Sequence, residues 1–132
     1  MGLILDTCVL IHSEKQAKPL DFNQWKSYEE VYISVVTVSE LLMCVQRANT
    51  GARQLKRSAF VETAINEIPI IDFTAEVARI HAEIYSHLAE QGQLIGAHDL
   101  IIAATALAHG YAVLTSNHTE FGRVPGLKVL NM

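Results

Sequence analysis

The sequence lacks the features that would place it in several common protein classes. Only two cysteines, Cys8 and Cys44, occur among its 132 residues, and their spacing fits neither a disulfide framework nor a zinc site. The longest nearly apolar run, at 100–108, is too short to cross a bilayer. The formal net charge of −4 argues against broad, nonspecific attraction to nucleic acid. We therefore expect a cytoplasmic protein with reduced thiols, no membrane contact and only a local surface for any RNA or DNA.

Sequence motifs of several enzyme classes are also missing. The chain contains no GxGxxG fingerprint for a dinucleotide, no GxxxxGK[ST] phosphate loop and no GxSxG nucleophile elbow. Thr7 and Cys8 follow Asp6 without the second aspartate that an aspartyl phosphatase motif requires. No histidine is placed by the sequence to activate Cys8, which favours a small packed thiol over a nucleophile.

Short β-rich runs alternate with longer helical patterns, which predicts a parallel sheet covered by helices. The apolar stretch from Leu100 to Ala108 is rich in small residues, so we expect it to form the most buried helix. No stretch has linker composition, low complexity or repeats, which predicts a single domain over 1–132. The predicted strands are 2–6, 31–36, 68–72, 112–115 and 127–131, and the clearest helical patterns are 37–50, 74–91 and 100–108.

Four polar residues stand where strands end or the following helices begin. In an open parallel sheet, ligands bind beyond the carboxyl ends of the strands. Three carboxylates that converge there would repel one another unless protons or a cation compensate, and oxygen-only ligation suits Mg²⁺ or Mn²⁺. A metal at this edge would explain why the apolar run LILDTCVLI carries a carboxylate in its middle. The four residues are Asp6, Glu40 in the first turn of the helix after the second predicted strand, Asp99 and Asn117.

Each acid also has a purely structural interpretation. Asp6 could cap a helix that begins at Thr7. Thr37 and Glu40 have the spacing of a capping box, in which their side chains satisfy free backbone amides. Asp99 could be only a favourable charge at a helix N-terminus. The common edge favours a site over three independent caps, but the residues alone leave both interpretations open.

Other residue types offer two further hypotheses. The densest basic segment contains Arg47, Arg53, Lys56 and Arg57, which could face phosphates or form an ordinary solvated helix face. Metal-free acid–base cleavage of RNA would need two imidazoles at the same phosphate. His98 and His118 each neighbour a proposed site residue, although a surface or supporting role is the simpler interpretation of both.

Four segments, in order, resemble the PIN-domain ribonucleases, and within them the VapC-type toxins of toxin–antitoxin pairs. This resemblance implies a three-layer α/β/α fold with a central, mainly parallel sheet and an Mg²⁺- or Mn²⁺-dependent endoribonuclease. It also implies a homodimer, a small cognate antitoxin and a structured RNA substrate such as tRNA or rRNA. The segments are LILDTCVLI, ISVVTVSELL, IGAHDLIIAATALAHG and AVLTSNHTEFGRVPGLKVLN.

By position, Asp6, Glu40 and Asp99 match the acidic metal site of that family. We predict that Asp6 and Asp99 ligate the metal directly, and that Glu40 either completes the shell or orients a bound water. Thr7 and Asn117 would fix water or substrate by hydrogen bonds. Many family members have a fourth aspartate where Asn117 stands, so one-metal and two-metal mechanisms both remain open.

A second departure from the family pattern is Cys8, where many members have Asn or Ser. The alternative to a nuclease is a PIN-like module that binds RNA or a protein with weak or no catalysis. In such a module the acids would act only as helix caps. The intact acidic trio argues against this alternative.

Overall fold

The computed structural model describes residues 1–16 and 21–132. Within these ranges the polypeptide alternates strands and helices, as the sequence predicts. The strands are β1 (Leu3–Leu5), β2 (Val31–Ser34), β3 (Ile70–Ile71), β4 (Ala112–Thr115) and β5 (Val129–Asn131). The α-helices are α1 (Thr7–Lys15), α2 (Val35–Gln46), α3 (Gly51–Glu67), α4 (Ala75–Glu90), α5 (Ala97–His109) and α6 (His118–Phe121), and Phe22–Trp25 forms a 3₁₀ turn.

The sheet has the order β3-β2-β1-β4-β5, and every pair in it is parallel. Leu3 of β1 lies opposite Val31 on one side and Ala112 on the other. The chain therefore builds outward from β1 in one direction and then returns to build β4 and β5 on its other side. A topological switch point lies between β1 and β4, where open parallel sheets form their ligand crevice.

Alternating side chains of the strands divide the core into two halves. Leu3 and Leu5 pack on the face covered by α1, α2 and α3. Ile4, between them, packs on the opposite face with residues of α4, α5 and α6. This alternation follows from the two-residue period of a strand. The predicted three-layer α/β/α architecture with a parallel sheet is confirmed.

Helix α5 is buried along most of its length, as its composition predicts. The stretch 102–106 and Leu100 are buried, and four of these six side chains are Ala or Thr, which allows close approach to the sheet. Gly110 ends the helix in the left-handed conformation at φ 70°, which glycine adopts without steric cost. No helix in the described ranges is both long and apolar enough to cross a membrane.

The boundaries around the second strand differ from the prediction. β2 ends at Ser34, and the Ser34 side chain accepts a hydrogen bond from Val36 N, so α2 begins at Val35 rather than at 37. The predicted helix over 37–50 also runs past the true end of α2. The sequence analysis missed α3 as a separate helix, although the buried positions Val61, Ala64 and Ile68 have helical spacing.

Candidate active site

Asp6 directly follows β1 and caps α1, so its predicted structural role is confirmed. Asp6 Oδ1 accepts a hydrogen bond from Thr7 N at 2.8 Å. Its other oxygen, Oδ2, accepts from the Thr115 hydroxyl at 2.7 Å and from Cys8 Sγ at 3.4 Å. The residue is only 5% exposed. Each carboxylate oxygen has two lone pairs, so capping a helix leaves Asp6 able to ligate a cation as well.

The predicted capping box at Thr37 and Glu40 is wrong. Because α2 begins at Val35, Glu40 lies in its second turn, and Ser34 caps the helix instead. Glu40 Oε1 accepts a hydrogen bond from Thr7 Oγ1 at 2.7 Å, and Thr37 Oγ1 lies 3.1 Å from the same hydroxyl. These side chains therefore reach across to α1 and hold Glu40 beside the residue that follows Asp6.

Asp99 stands in the first turn of α5 and faces the residues after β4. Asn117 Nδ2 donates to Asp99 Oδ2 at 3.1 Å and also to the Glu120 carboxylate. The backbone amide of Asn117 donates to Thr115 Oγ1 at 2.9 Å. Asn117 thus connects Asp99 with the end of β4, which is the edge of the sheet where the sequence analysis predicted it.

The electrostatics of Asp99 are unusual for an aspartate. Burial raises its pKa to about 7, and the hydrogen bond to Glu120 and the charges of Asp6 and Glu120 add to this effect. The hydrogen bond from Asn117 acts in the opposite direction. The pKa of Glu120 is lowered, mainly by hydrogen bonds from Asp99 and Asn117, with a smaller contribution from Arg123. Near neutral pH, a large fraction of Asp99 therefore retains a proton, which it donates to Glu120.

Glu120 is a fourth carboxylate that the sequence analysis missed. It lies in α6, three residues after Asn117, so a single helical turn brings it back to the site. The signal was present in the order Asn117-x-x-Glu120. Glu120 stands one helical turn beyond the end of a strand, so proximity to strand ends and predicted helix starts does not single it out.

The side chains form two groups joined by one hydroxyl. We call Asp6, Thr7 and Glu40 the Asp6 group, and Asp99, Asn117 and Glu120 the Asp99 group. Thr115 Oγ1 donates to Asp6 and accepts from Asn117 N, so it links the two groups. All five predicted site residues belong to these groups. Whether they act in catalysis stays a prediction.

The donor atoms fit a magnesium-like ion better than a zinc-like one. Within 1–16 and 21–132, no three His, Cys, Asp or Glu side chains stand close enough to enclose a metal on their own. Mg²⁺ commonly uses one or two carboxylates and keeps several waters, whereas structural zinc requires a closed set of ligands. The negative charge of Asp6 acts on Asp99, so a cation between these two carboxylates would relieve their repulsion. The donor set therefore fits Mg²⁺ or Mn²⁺, whereas three carboxylates as direct ligands remain a prediction.

Comparisons with known proteins identify the family of this chain. The PIN domain family matches residues 3–127. Ribonuclease VapC1 of Rickettsia felis is 39% identical over 132 residues, covering 100% of this chain and 97% of the relative. The tRNA(fMet)-specific endonuclease VapC of Shigella flexneri is 33% identical, covering 97% of this chain and 96% of the relative.

A solved structure extends the similarity to three dimensions. VapBC-5 from Mycobacterium tuberculosis, described as a member of the VapBC family of toxin-antitoxin systems, superposes with a TM-score of 0.77 at 28% identity. The match covers 99% of this chain and 97% of the solved chain. The full-length similarity and the shared fold show that the chain belongs to the PIN-domain family and, within it, to the VapC ribonucleases.

Proposed function

We propose that this protein is a metal-dependent endoribonuclease, the toxin of a toxin–antitoxin pair, which hydrolyses phosphodiester bonds in structured RNA. The observation that carries the proposal is the placement of Asp6 and Asp99 at the switch point of the sheet. Burial raises the pKa of Asp99, and the hydrogen bond to Glu120 and the negative charge of Asp6 raise it further, as expected of carboxylates arranged for a cation. Membership in a family whose relatives are named ribonucleases supports the same reaction.

In this proposal, Asp6 and Asp99 hold the ion, which is Mg²⁺ or Mn²⁺. A divalent ion supplies water activation and stabilisation of the charge that develops on the phosphate. Thr7 holds Oε1 of Glu40, and the other oxygen, Oε2, which lies 3.3 Å from His98 Nδ1, orients a water or accepts its proton. The Asn117 amide fixes the Asp99 carboxylate. Asp99 must lose its proton before it can ligate the ion.

The same proposal covers substrate and partners. One relative is named a tRNA(fMet)-specific endonuclease, so tRNA is the first substrate to test, with rRNA next. Because a solved relative belongs to a toxin–antitoxin system, we assign this chain a small cognate antitoxin. We further propose a homodimer that acts in the cytoplasm, where both RNA classes are found.

One observation favours the alternative of a PIN-like module that binds without cutting. The described residues do not enclose a metal with three carboxylate, imidazole or thiolate side chains as they stand. Weak metal binding would leave Asp6 as a helix cap and Glu40 as a partner of Thr7. A binding module and a nuclease differ in one measurable respect, since only the nuclease requires the charge of Asp99 to act on RNA.

The deciding experiment incubates purified, partner-free protein with total bacterial tRNA in Mg²⁺, Mn²⁺ or EDTA and maps the fragment ends. We expect discrete cuts with either metal and none in EDTA, and we expect Asp99→Asn to abolish them. Asp72→Asn is the matched control, because Asp72 is an exposed carboxylate just after β3. Intact RNA in every metal condition, or full cleavage by Asp99→Asn, would contradict the proposal.

A further inference from the structure

Positive charge is concentrated in one segment of this acidic protein. Between Glu40 and Glu62 the sequence contains four of the ten basic residues and no Asp or Glu. The rest of the chain holds the other six basic residues together with all fourteen acidic ones. The segment 41–61 comprises the second half of α2, the turn after it and the larger part of α3. An ordinary solvated helix face usually mixes both signs of charge, so this segment differs from that pattern.

Three of the four cations are exposed, and we call these three, Arg47, Arg53 and Lys56, the basic tip. The fourth, Arg57, has a structural role, because its Nε donates to Glu14 Oε1 at 2.9 Å. Its Nη1 also donates to the carbonyl of Cys44 at 3.3 Å. Arg57 thereby ties α3 to both α1 and α2 and holds the tip in a defined position.

The tip is also open at the beginning of α3. Thr50 caps this helix by accepting a hydrogen bond from Arg53 N at 3.1 Å. A Cβ atom placed on Gly51 would meet nothing within 4 Å, so the surface beside the helix terminus is free of neighbouring atoms. The positive end of the helix dipole adds to the charge of the three side chains and favours an anion at the same place.

Helix geometry places the tip within reach of the candidate active site. Arg47 follows Glu40 by seven residues, which is two turns of helix, so both lie on the same face of α2. A rise of 1.5 Å per residue separates them by about 10 Å along the axis. A bound RNA strand needs only a few nucleotides to span this distance, so one strand can contact both Arg47 and the site around Glu40.

We propose that the basic tip binds the phosphate backbone of the RNA that the candidate active site cleaves. This inference rests on the proposed function for the identity of the ligand. It explains how a protein of net charge −4 retains a polyanion beside several carboxylates. The contact is to phosphates, so it contributes affinity and orientation rather than base recognition.

The test compares two double variants of equal charge. Arg47→Gln with Lys56→Gln removes two cations of the tip, and Arg79→Gln with Lys128→Gln removes two exposed cations elsewhere. Binding of fluorescently labelled total bacterial tRNA is followed by anisotropy in EDTA over a range of salt. We expect the tip variant to bind at least about fivefold more weakly at low salt. Its slope of log K against log[salt] should fall by about 1 to 2, while the control stays near wild type.

The outcomes separate this inference from the proposed function. Equal weakening by both double variants, no weakening by either, or no binding of tRNA by the wild type would overturn the role of the tip. If the wild type binds tRNA through the tip but does not cut it with Mg²⁺, the proposed function fails while this inference stands. If it cuts tRNA and the tip variant does so with unchanged KM, this inference fails while the proposed function stands.

Discussion

The two groups of the candidate site differ in how their surroundings stabilise a charged aspartate. In the Asp6 group, protein donors engage both oxygens of Asp6, namely Thr7 N, the Thr115 hydroxyl and Cys8 Sγ. In the Asp99 group, a half-buried aspartate faces the carboxylate of Glu120 and interacts with the charge of Asp6, and its pKa rises to about 7. The Asn117 amide supports its charged form.

This difference indicates which side of the site changes when a cation binds. Hydrogen bonds already stabilise the carboxylate of Asp6, so it can ligate an ion without rearrangement. Asp99 must first release the proton that it donates to Glu120. Metal binding near neutral pH should therefore release a proton, and its affinity should increase with pH across the titration of Asp99.

The largest effect is expected from variants of Asp6. Both Asp6→Asn and Asp6→Ala remove the charge, so RNA cleavage with Mg²⁺ should fall by about a thousandfold or more. Their stabilities should differ, because Asn can also cap a helix whereas Ala cannot. Denaturant unfolding should show Asp6→Ala to be about 1 kcal/mol less stable than Asp6→Asn. Substantial cleavage by either variant would remove Asp6 from the metal site and leave it only a helix cap.

A smaller, opposite effect on stability is expected from Asp99→Asn. The folded protein releases the Asp99 proton at about pH 7, whereas the unfolded chain releases it near 3.8, the ordinary pKa of an aspartate. The free energy of unfolding should therefore decline as pH rises through this window, because the folded state binds more protons. At pH 8 without divalent metal, Asp99→Asn should be more stable than wild type by about 1 kcal/mol, allowing for partial exposure.

Glu120→Gln provides the control for this stability prediction. The substitution removes the neighbouring charge and introduces an amide that can donate to Asp99, so the pKa of Asp99 should fall. NMR titration of the Asp99 carboxyl in metal-free protein measures this directly. An unchanged Asp99 pKa in Glu120→Gln, together with no stability gain in Asp99→Asn at pH 8, would show that the two groups do not differ as described.

The fold was largely predictable because the residue patterns that indicate strands and helices are local and recur along the chain. The predicted and observed bounds of β4 are identical, and the apolar composition of α5 predicted its burial. The start of α2 was missed because Val35 and Val36 have strong strand propensity. The cap at Ser34 and packing against the neighbouring helices outweigh that propensity.

The site was predictable to the extent that each residue lies next to the end of a strand. Asp6 and Asn117 meet this condition, and Glu40 and Asp99 were predicted from their places at the beginning of helical stretches. The resemblance to VapC-type toxins then matched Asp6, Glu40 and Asp99 to the acidic metal site of the family. Thr115 and Glu120 could not be assigned roles in the same way, because their roles depend on tertiary contacts. The link from Thr115 to Asp6 spans 109 positions of the chain, a contact that no local pattern encodes.

The smallest effect is expected from His98, which contacts the outer oxygen of Glu40. His98 Nδ1 lies 3.3 Å from Glu40 Oε2, and its side chain is 45% exposed. Contacts of this kind contribute about 1 kcal/mol at most, and Thr7 holds the other oxygen of Glu40 independently. We therefore expect His98→Asn to change kcat/KM for RNA cleavage by less than about threefold. A loss comparable to that of Asp6→Asn, combined with activity in EDTA, would instead support acid–base cleavage by histidines and leave the acidic groups a structural role.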